Sequence, residues 1–380
     1  MSNFTNLGNL ISPAAIVRCG DGTYPVLSMT MHDGIVLQSE RFKKSLASSD
    51  QSEYKVVKYG QLVVGFPIDE GVLYIQKAAD EGIMSPAYNV WNVDTTQIDP
   101  DFLELCLHSP QSMQYYRSKL RGTTARRRSI PTADLLALPI RLPDMEVQKA
   151  AVALAQKMEK VITLRKEQLN HMDQLVKSRF IELFGDPIVN IKGWKTEKTE
   201  KHIDLLSGFP FDSSGYTECG IKICGGLIIM PQRIDWDNCK HWKSTAGFEE
   251  YTLQENDIVM ALDRPWISEG FKIAMVEADD LPALLIQRTA RIRSIDINQH
   301  YLMYCFILGG FDNHCNITGS LVPHISAKDI RSFHIMIPPM ELQEQFAAFV
   351  EQTDKSKLAV LKSLEELEIL KKSLMQQYFG

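Results

Sequence analysis

Apolar residues in steps of three and four mark two long stretches of this chain. The first carries Val147, Ala151, Leu154, Met158 and Val161, then Leu169, Met172, Val176, Phe180 and Leu183. The second carries Leu342, Phe346 and Phe349, then Leu361, Leu364, Leu367, Leu370, Leu374 and Tyr378. That period predicts an amphipathic helix in each place, with Arg165 and Thr353 interrupting the seams. The two stretches are also copies of each other. Residues 140–185 and 335–380 align without a gap: Pro143, Met145, Glu146 and Gln148 meet Pro338, Met340, Glu341 and Gln343, and Lys177, Ser178, Phe184 and Gly185 meet Lys372, Ser373, Phe379 and Gly380. A proline at the first turn, an acid after it and a glycine at the end are start and stop signals. About 40 residues make a rod of roughly 60 Å. Two such rods, each with one apolar stripe, are expected to pack on each other.

Shorter patterns surround them. Residues 1–139 read as a strand-rich α+β block, with strands at 24–30, 35–37, 54–57, 62–64, 72–75 and 90–93, a turn at His32-Asp33-Gly34, and one helix from Pro100 to about Leu120. Residues 187–334 echo that block at its edges. Tyr251, Leu253, Asn256, Asp257, Ile258 and Val259 answer Tyr54, Val57, Gly60, Gln61, Leu62 and Val63, and Ile325, Asp329 and Ile330 answer Ile130, Asp134 and Leu135. The expected organisation is therefore a globular domain at 1–139, a helix at 140–186, a second domain at 187–334 and a second helix at 335–380. A duplicated frame with divergent middles suggests two modules doing one kind of job on different targets.

Charge sharpens this only locally. The net charge of −6 argues against a chain that grips nucleic acid by itself. Yet residues 117–133 hold Arg117, Lys119, Arg121, Arg126, Arg127 and Arg128 without one acid, beside Thr123 and Thr124. Such a loop suits phosphates, and arginine suits guanine edges. The counterpart loop is polar and uncharged by comparison: Asn313, His314, Asn316, Thr318, Ser320 and His324 offer amides, hydroxyls and imidazoles. Arg264, Lys272, Arg288, Arg291 and Arg293 are further candidates, the last two alternating on one face of an expected strand.

Signatures of catalysis are weak. Gly215 and Gly220 have P-loop spacing, but Ile221-Lys222 follow instead of Lys-Ser or Lys-Thr. No glycine fingerprint for a dinucleotide follows a strand. Asp99-Pro100-Asp101-Phe102 lacks the second proline of the amino-methyltransferase signature. Asp33 with Glu53 and Lys55 forms a nuclease-like triplet of a kind that chance supplies often. Cys219, Cys224, Cys239 and His241 match no usual zinc spacing and read better as thiols. Seven cysteines without a paired framework suit a reducing compartment. No signal peptide and no membrane span are visible, so a cytoplasmic protein without metal or catalytic residues is expected.

The LPDMEVQ and IPPMELQ starts, the KEQLNHMDQLVKSRFIELFGDP stretch, YPVLSMT and SPAYNVW resemble the specificity subunits of type I restriction–modification systems, over nearly the whole chain. The resemblance implies an α+β protein with two target-recognition domains, separated by two long helices that form an antiparallel coiled coil and give an internal pseudo-twofold repeat. It implies a non-catalytic subunit that reads a two-part site in double-stranded DNA. Two modification (methyltransferase) subunits would dock on it, and restriction subunits (ATP-dependent translocase and nuclease) would add to these. S-adenosylmethionine, ATP and Mg would then sit on those partners. Helix pairing or subunit docking would fall to Leu154, Met158, Leu169, Met172, Val176, Phe180, Phe349, Leu364, Leu367 and Leu374. Gln61 departs from the family's Gly-Asp pair, and the second exit loop lacks basic residues. Other readings are a specificity subunit for a fused restriction–modification enzyme, an enzyme with its own active site, and a coiled-coil adaptor that binds only proteins.

Overall fold

The repeated motif Pro-x-Met-Glu-x-Gln begins a 40-residue helix in each copy, Met145–Phe184 and Met340–Phe379. The structure is a computed structural model that describes residues 4–31, 33–41, 50–120, 128–315 and 323–379. The prolines stand just outside each first turn, where no hydrogen bond is lost. The motif glutamines explain the rest. Gln148 is buried; its Oε1 accepts from the Asp99 N–H at 2.8 Å and its Nε2 donates to the Pro143 carbonyl at 2.8 Å. Gln343 repeats both bonds, from the Asn298 N–H at 2.9 Å and to the Pro338 carbonyl at 2.8 Å. Asp99 and Asn298 are themselves the N-caps of the domain helices Pro100–Leu107 and Gln299–Leu308. One amide thus ties the start of a long helix to the start of a short one, twice. Gly185, in the left-handed region at φ 81°, ends the first long helix by donating to the Ile181 carbonyl.

The chain divides into two compact units, residues 1–166 with 361–380, and residues 167–360. Each holds half of each long helix. In the first unit, Lys371 of the second helix donates to Glu159 of the first at 2.6 Å. Phe379 packs on Phe102 with centroids 5.1 Å apart. In the second unit, Lys357 meets Asp173 at 2.7 Å, and Phe346 packs against Phe180 and Phe184. Within either unit, residue numbers rise along one helix as they fall along its neighbour, so the helices are antiparallel. Ala151, Met158, Val176, Phe180, Phe346, Leu374 and Phe379 are buried, as the stripe requires. Its phase is only partly that of the sequence pattern. Leu154 is 40% exposed, and Val147, Leu361 and Leu370 also face out, while Val152, Ile162, Phe184, Val350 and Val360 are buried. Leu169, Met172, Phe349, Leu364 and Leu367 are half-buried.

The domain parts of the units share a closing strand pair and a four-stranded sheet. A first strand, Phe4–Asn6, closes antiparallel on the last, Pro139–Arg141; Thr196–Lys198 does the same with His334–Met336. A four-stranded antiparallel sheet follows, in the order Ile11–Pro13, Asn89–Val93, Leu62–Val64, Leu73–Ile75. The second unit repeats it as Ile203–Ser207, Thr289–Ser294, Ile258–Ala261, Ile273–Met275. The strands expected at 35–37, 62–64, 72–75 and 90–93 are present, those expected at 24–30 and 54–57 are Leu27–Met29 and Lys55–Lys58, and Glu81–Met84, which pairs with Lys55–Lys58, adds one more. The helix expected from Pro100 to Leu120 is two, Pro100–Leu107 and Pro110–Lys119. The Ser109 side chain accepts from the Ser112 N–H and starts a new helix at Pro110, which cannot continue the old one.

Candidate nucleic-acid interface

In the first unit, Arg117 is exposed on the helix Pro110–Lys119. Lys119 lies 3.7 Å from Asp134 and over the Tyr115 ring. Arg121, Thr123, Thr124, Arg126 and Arg127 lie outside the described residues. Arg128 corrects the expectation of a free cation. Its Nε is 3.1 Å from Asp69, it also bonds Glu70, and its carbonyl accepts from the Ile68 N–H at 3.1 Å. It pins the end of the basic segment to the turn between two sheet strands.

In the second unit, Asn313 is exposed, but His314 turns inward: its Nε2 sits 3.1 Å from both the Asp329 carbonyl and the Ser332 hydroxyl, and its ring stacks near Phe311. Asn316, Thr318 and Ser320 lie outside the described residues. Arg291 and Arg293 do share a strand face, but it is not an open one. Arg291 is 5% exposed and paired with Asp204; burial and Arg293 push its pKa down, against Asp204 and Asp257. Arg293 bonds Asp257 through Nε and, at 2.8 Å, through Nη2, and that carboxylate raises its pKa. Lys272 is buried and donates to the Gly226 carbonyl. Arg291 and Arg293 are thus held by carboxylates, and Lys272 by a backbone carbonyl.

The Asp257–Arg293 pair also accounts for the departure at Gln61. Asp257 accepts from the Gln254 N–H, three residues back, and holds Arg293 across the sheet. Gln61 accepts from the Lys58 N–H, three residues back, and its Nε2 donates to Asn92 at 2.8 Å. The register of the strands makes Asn92 the counterpart of Arg293. An ion pair in one unit is therefore a neutral amide pair in the other, closing the same turn. In that turn Gly60 and Asn256 both take positive φ.

Two of the candidate cations lie on the surface of the second unit. Arg264 is exposed, and Arg288 is 74% exposed with its Nε 3.3 Å from Asp263. Asp263 also meets His324 Nδ1 at 2.6 Å, the first imidazole beyond the polar loop. Asp263 carried no local signal in the sequence, because its partners lie 25 and 61 residues away. The nuclease-like triplet does not assemble: Asp33 pairs with Arg41, Glu53 with Arg18, and Lys55 donates to the Tyr88 carbonyl. Cys224 is buried, which pushes its thiol up, and Cys239 Sγ lies 3.6 Å from His241. Among the described residues no helix is long and apolar enough to cross a membrane.

Comparison with known proteins agrees with this frame. Residues 241–369 match the family model described as the type I restriction modification DNA specificity domain. The MjaVIII specificity subunit of Methanocaldococcus jannaschii is 23% identical over 377 residues, 93% of this chain and 85% of that protein. The EcoAI specificity subunit of Escherichia coli is 28% identical over 206 residues, 52% of this chain; the match spans about a third of that protein, 35%. A solved structure on complex assembly and conformational transition of the type I R-M system holds a chain of the same fold. Its TM-score is 0.60 at 18% identity, over 99% of this chain and 97% of that one. In its duplicated frame, its repeated helix-start motif and these likenesses, the chain is similar to the specificity subunits of type I restriction–modification systems.

Proposed function

We propose that the chain is the non-catalytic DNA reader of a methyltransferase complex, each domain recognising one part of a split target. The observation that carries this is the position-for-position duplication. Two domains keep one sheet order, one helix tether and one closing turn, yet differ in the side chains at the sheet ends. A frame kept constant while its exposed ends diverge is what two readers of different sequences require. The helices supply the second half of the reading. Each is about 60 Å long by its rise, against ~34 Å for one turn of duplex. They would act as a ruler that leaves a gap of unread bases.

Apolar side chains on the outer faces of the helices suit subunit docking. Leu164, Leu175 and Ile181 on the first helix, and Leu358, Ile369 and Leu370 on the second, are all exposed. We assign this surface to two modification subunits, to which restriction subunits would add. S-adenosylmethionine, ATP and Mg would be bound by those partners. The net charge of −6 fits such an arrangement, since phosphate neutralisation would be shared with them. The test is to map methylated adenines in cells carrying the chain with its modification partner. Methylation at a two-part sequence that vanishes without this chain is expected. Methylation that persists unchanged without it would sink the proposal and favour a protein-only adaptor.

A further inference from the structure

Among the described residues five other than glycine have positive φ, and two of them are arginines: Arg264 at 46° and Arg288 at 64°. A long side chain in the left-handed region is strained, and glycine would occupy it at lower energy. Neither arginine is there to fill the core, because both are exposed. Strain held at an exposed position calls for a use of that side chain.

The two lie together at one end of the four-stranded sheet. Strands Ile258–Ala261 and Thr289–Ser294 end paired at Ala261 and Thr289, so Arg264 leaves one strand as Arg288 enters the other. The Leu262 N–H donates to the Arg288 carbonyl at 2.9 Å, and the Arg264 N–H to the Pro323 carbonyl at 3.0 Å. Three segments therefore converge on Asp263. That carboxylate orients Arg288 through Nε and holds His324, leaving the terminal guanidinium nitrogens of Arg288 without a partner among the described contacts. Beside them runs the Gly225-Gly226 turn. A Cβ on Gly226 would lie 3.7 Å from the Arg288 carbonyl, and the next residue, Leu227, is 91% exposed. The edge thus presents two arginines, one of them clamped by a carboxylate, next to a bare apolar side chain.

The first unit repeats the hydrogen bonding at this edge but not the positive φ, which neither Ile68 nor Ala87 has. The Ile68 N–H donates to the Arg128 carbonyl as Arg264 does to Pro323, so Ile68 stands for Arg264 and Pro67 for Asp263. By strand register Ala87 stands for Arg288. No cation occupies those positions.

We infer that Arg264 and Arg288 are the specificity-determining residues of the second unit, and that they read guanines in its part of the target. Asp263 positions Arg288, and Leu227 contacts a base face or a thymine methyl. The inference rests on the proposed DNA-reading function and names the base class that this unit reads. A guanidinium fork on guanine O6 and N7 is the commonest specific contact to a base edge. Asp263 orients the Arg288 fork through Nε, and the turn sets the direction in which both side chains leave the backbone.

The test uses the full chain assembled with its modification subunits and a pool of randomised duplexes, sequenced after binding. Wild type should enrich a two-part consensus. R264A and R288A should each lose a guanine preference at one position of one part, by on the order of ten- to a hundredfold, with the other part unchanged as proof of a folded complex. R288K keeps the charge but not the fork, and should lose the same preference with overall binding nearly kept. R264G and R288G should match the alanine variants in sequence preference without a fall in Tm. Variants that enrich the wild-type consensus would overturn this inference and leave the DNA-reading function standing. No consensus with wild type would overturn both.

Discussion

The smallest piece of this fold with a clear cause is a glutamine amide. Gln148 and Gln343 each satisfy one orphan N–H and one carbonyl where two helices begin together. Replacing either by alanine strands both groups in a buried place and should cost about 1–3 kcal/mol. Hydrogen exchange would show it locally: faster exchange at Asp99 in Q148A, at Asn298 in Q343A, and neither effect in the other variant. Equal exchange in both would mean that the amides are not tethers. The motif was legible in the sequence because a duplicated Pro-x-Met-Glu-x-Gln is hard to produce twice otherwise, but its task was not. The glutamine's partner lies 49 residues away in one copy and 45 in the other. The same distance in sequence hid the arginines. Arg291 and Arg293 read as a pair on one face, which they are, but that face is covered by Asp204 and Asp257. Arg264 and Arg288 looked no different from them until the sheet ends were brought together.

At the scale of elements, the long helices were the most legible feature and their exact phase the least. Apolar positions outnumber what one stripe needs, so periodicity cannot say which faces a neighbouring helix and which faces solvent. Side-chain size decides it where packing is tight. Phe346 meets Phe180, Phe184 and Tyr304 with centroids 5.2–5.7 Å apart. F346A should destabilise the second unit by about 3–5 kcal/mol, read by urea unfolding. Leu358 and Ile369 are 68% and 67% exposed. Serine at both should leave stability within about 0.5 kcal/mol of wild type, and weaken association with the modification subunit in sedimentation. Unaltered association would remove that surface from the docking face. The break at Pro110 is legible in Ser109-Pro110, where the serine offers a cap and the proline removes a helix donor.

On the scale of the whole molecule, what matters is that one frame was used twice and filled differently. The turn closed by Asp257 and Arg293 in one copy is closed by Gln61 and Asn92 in the other, so the backbone is held while the chemistry changes. This is why the internal repeat showed in the sequence at the helices and the closing turns, and vanished at the edges that differ by purpose. The central claim is that paired helices hold two independent readers and set the gap between their targets. Its most direct test inserts one helical turn of four residues at matched places in both helices and maps methylated adenines against wild type. Each insert adds ~6 Å of rod. The account predicts that both specific parts of the target are kept and the unread spacer grows by about one to two base pairs, at ~3.4 Å each. An unchanged spacer around unchanged parts would contradict it.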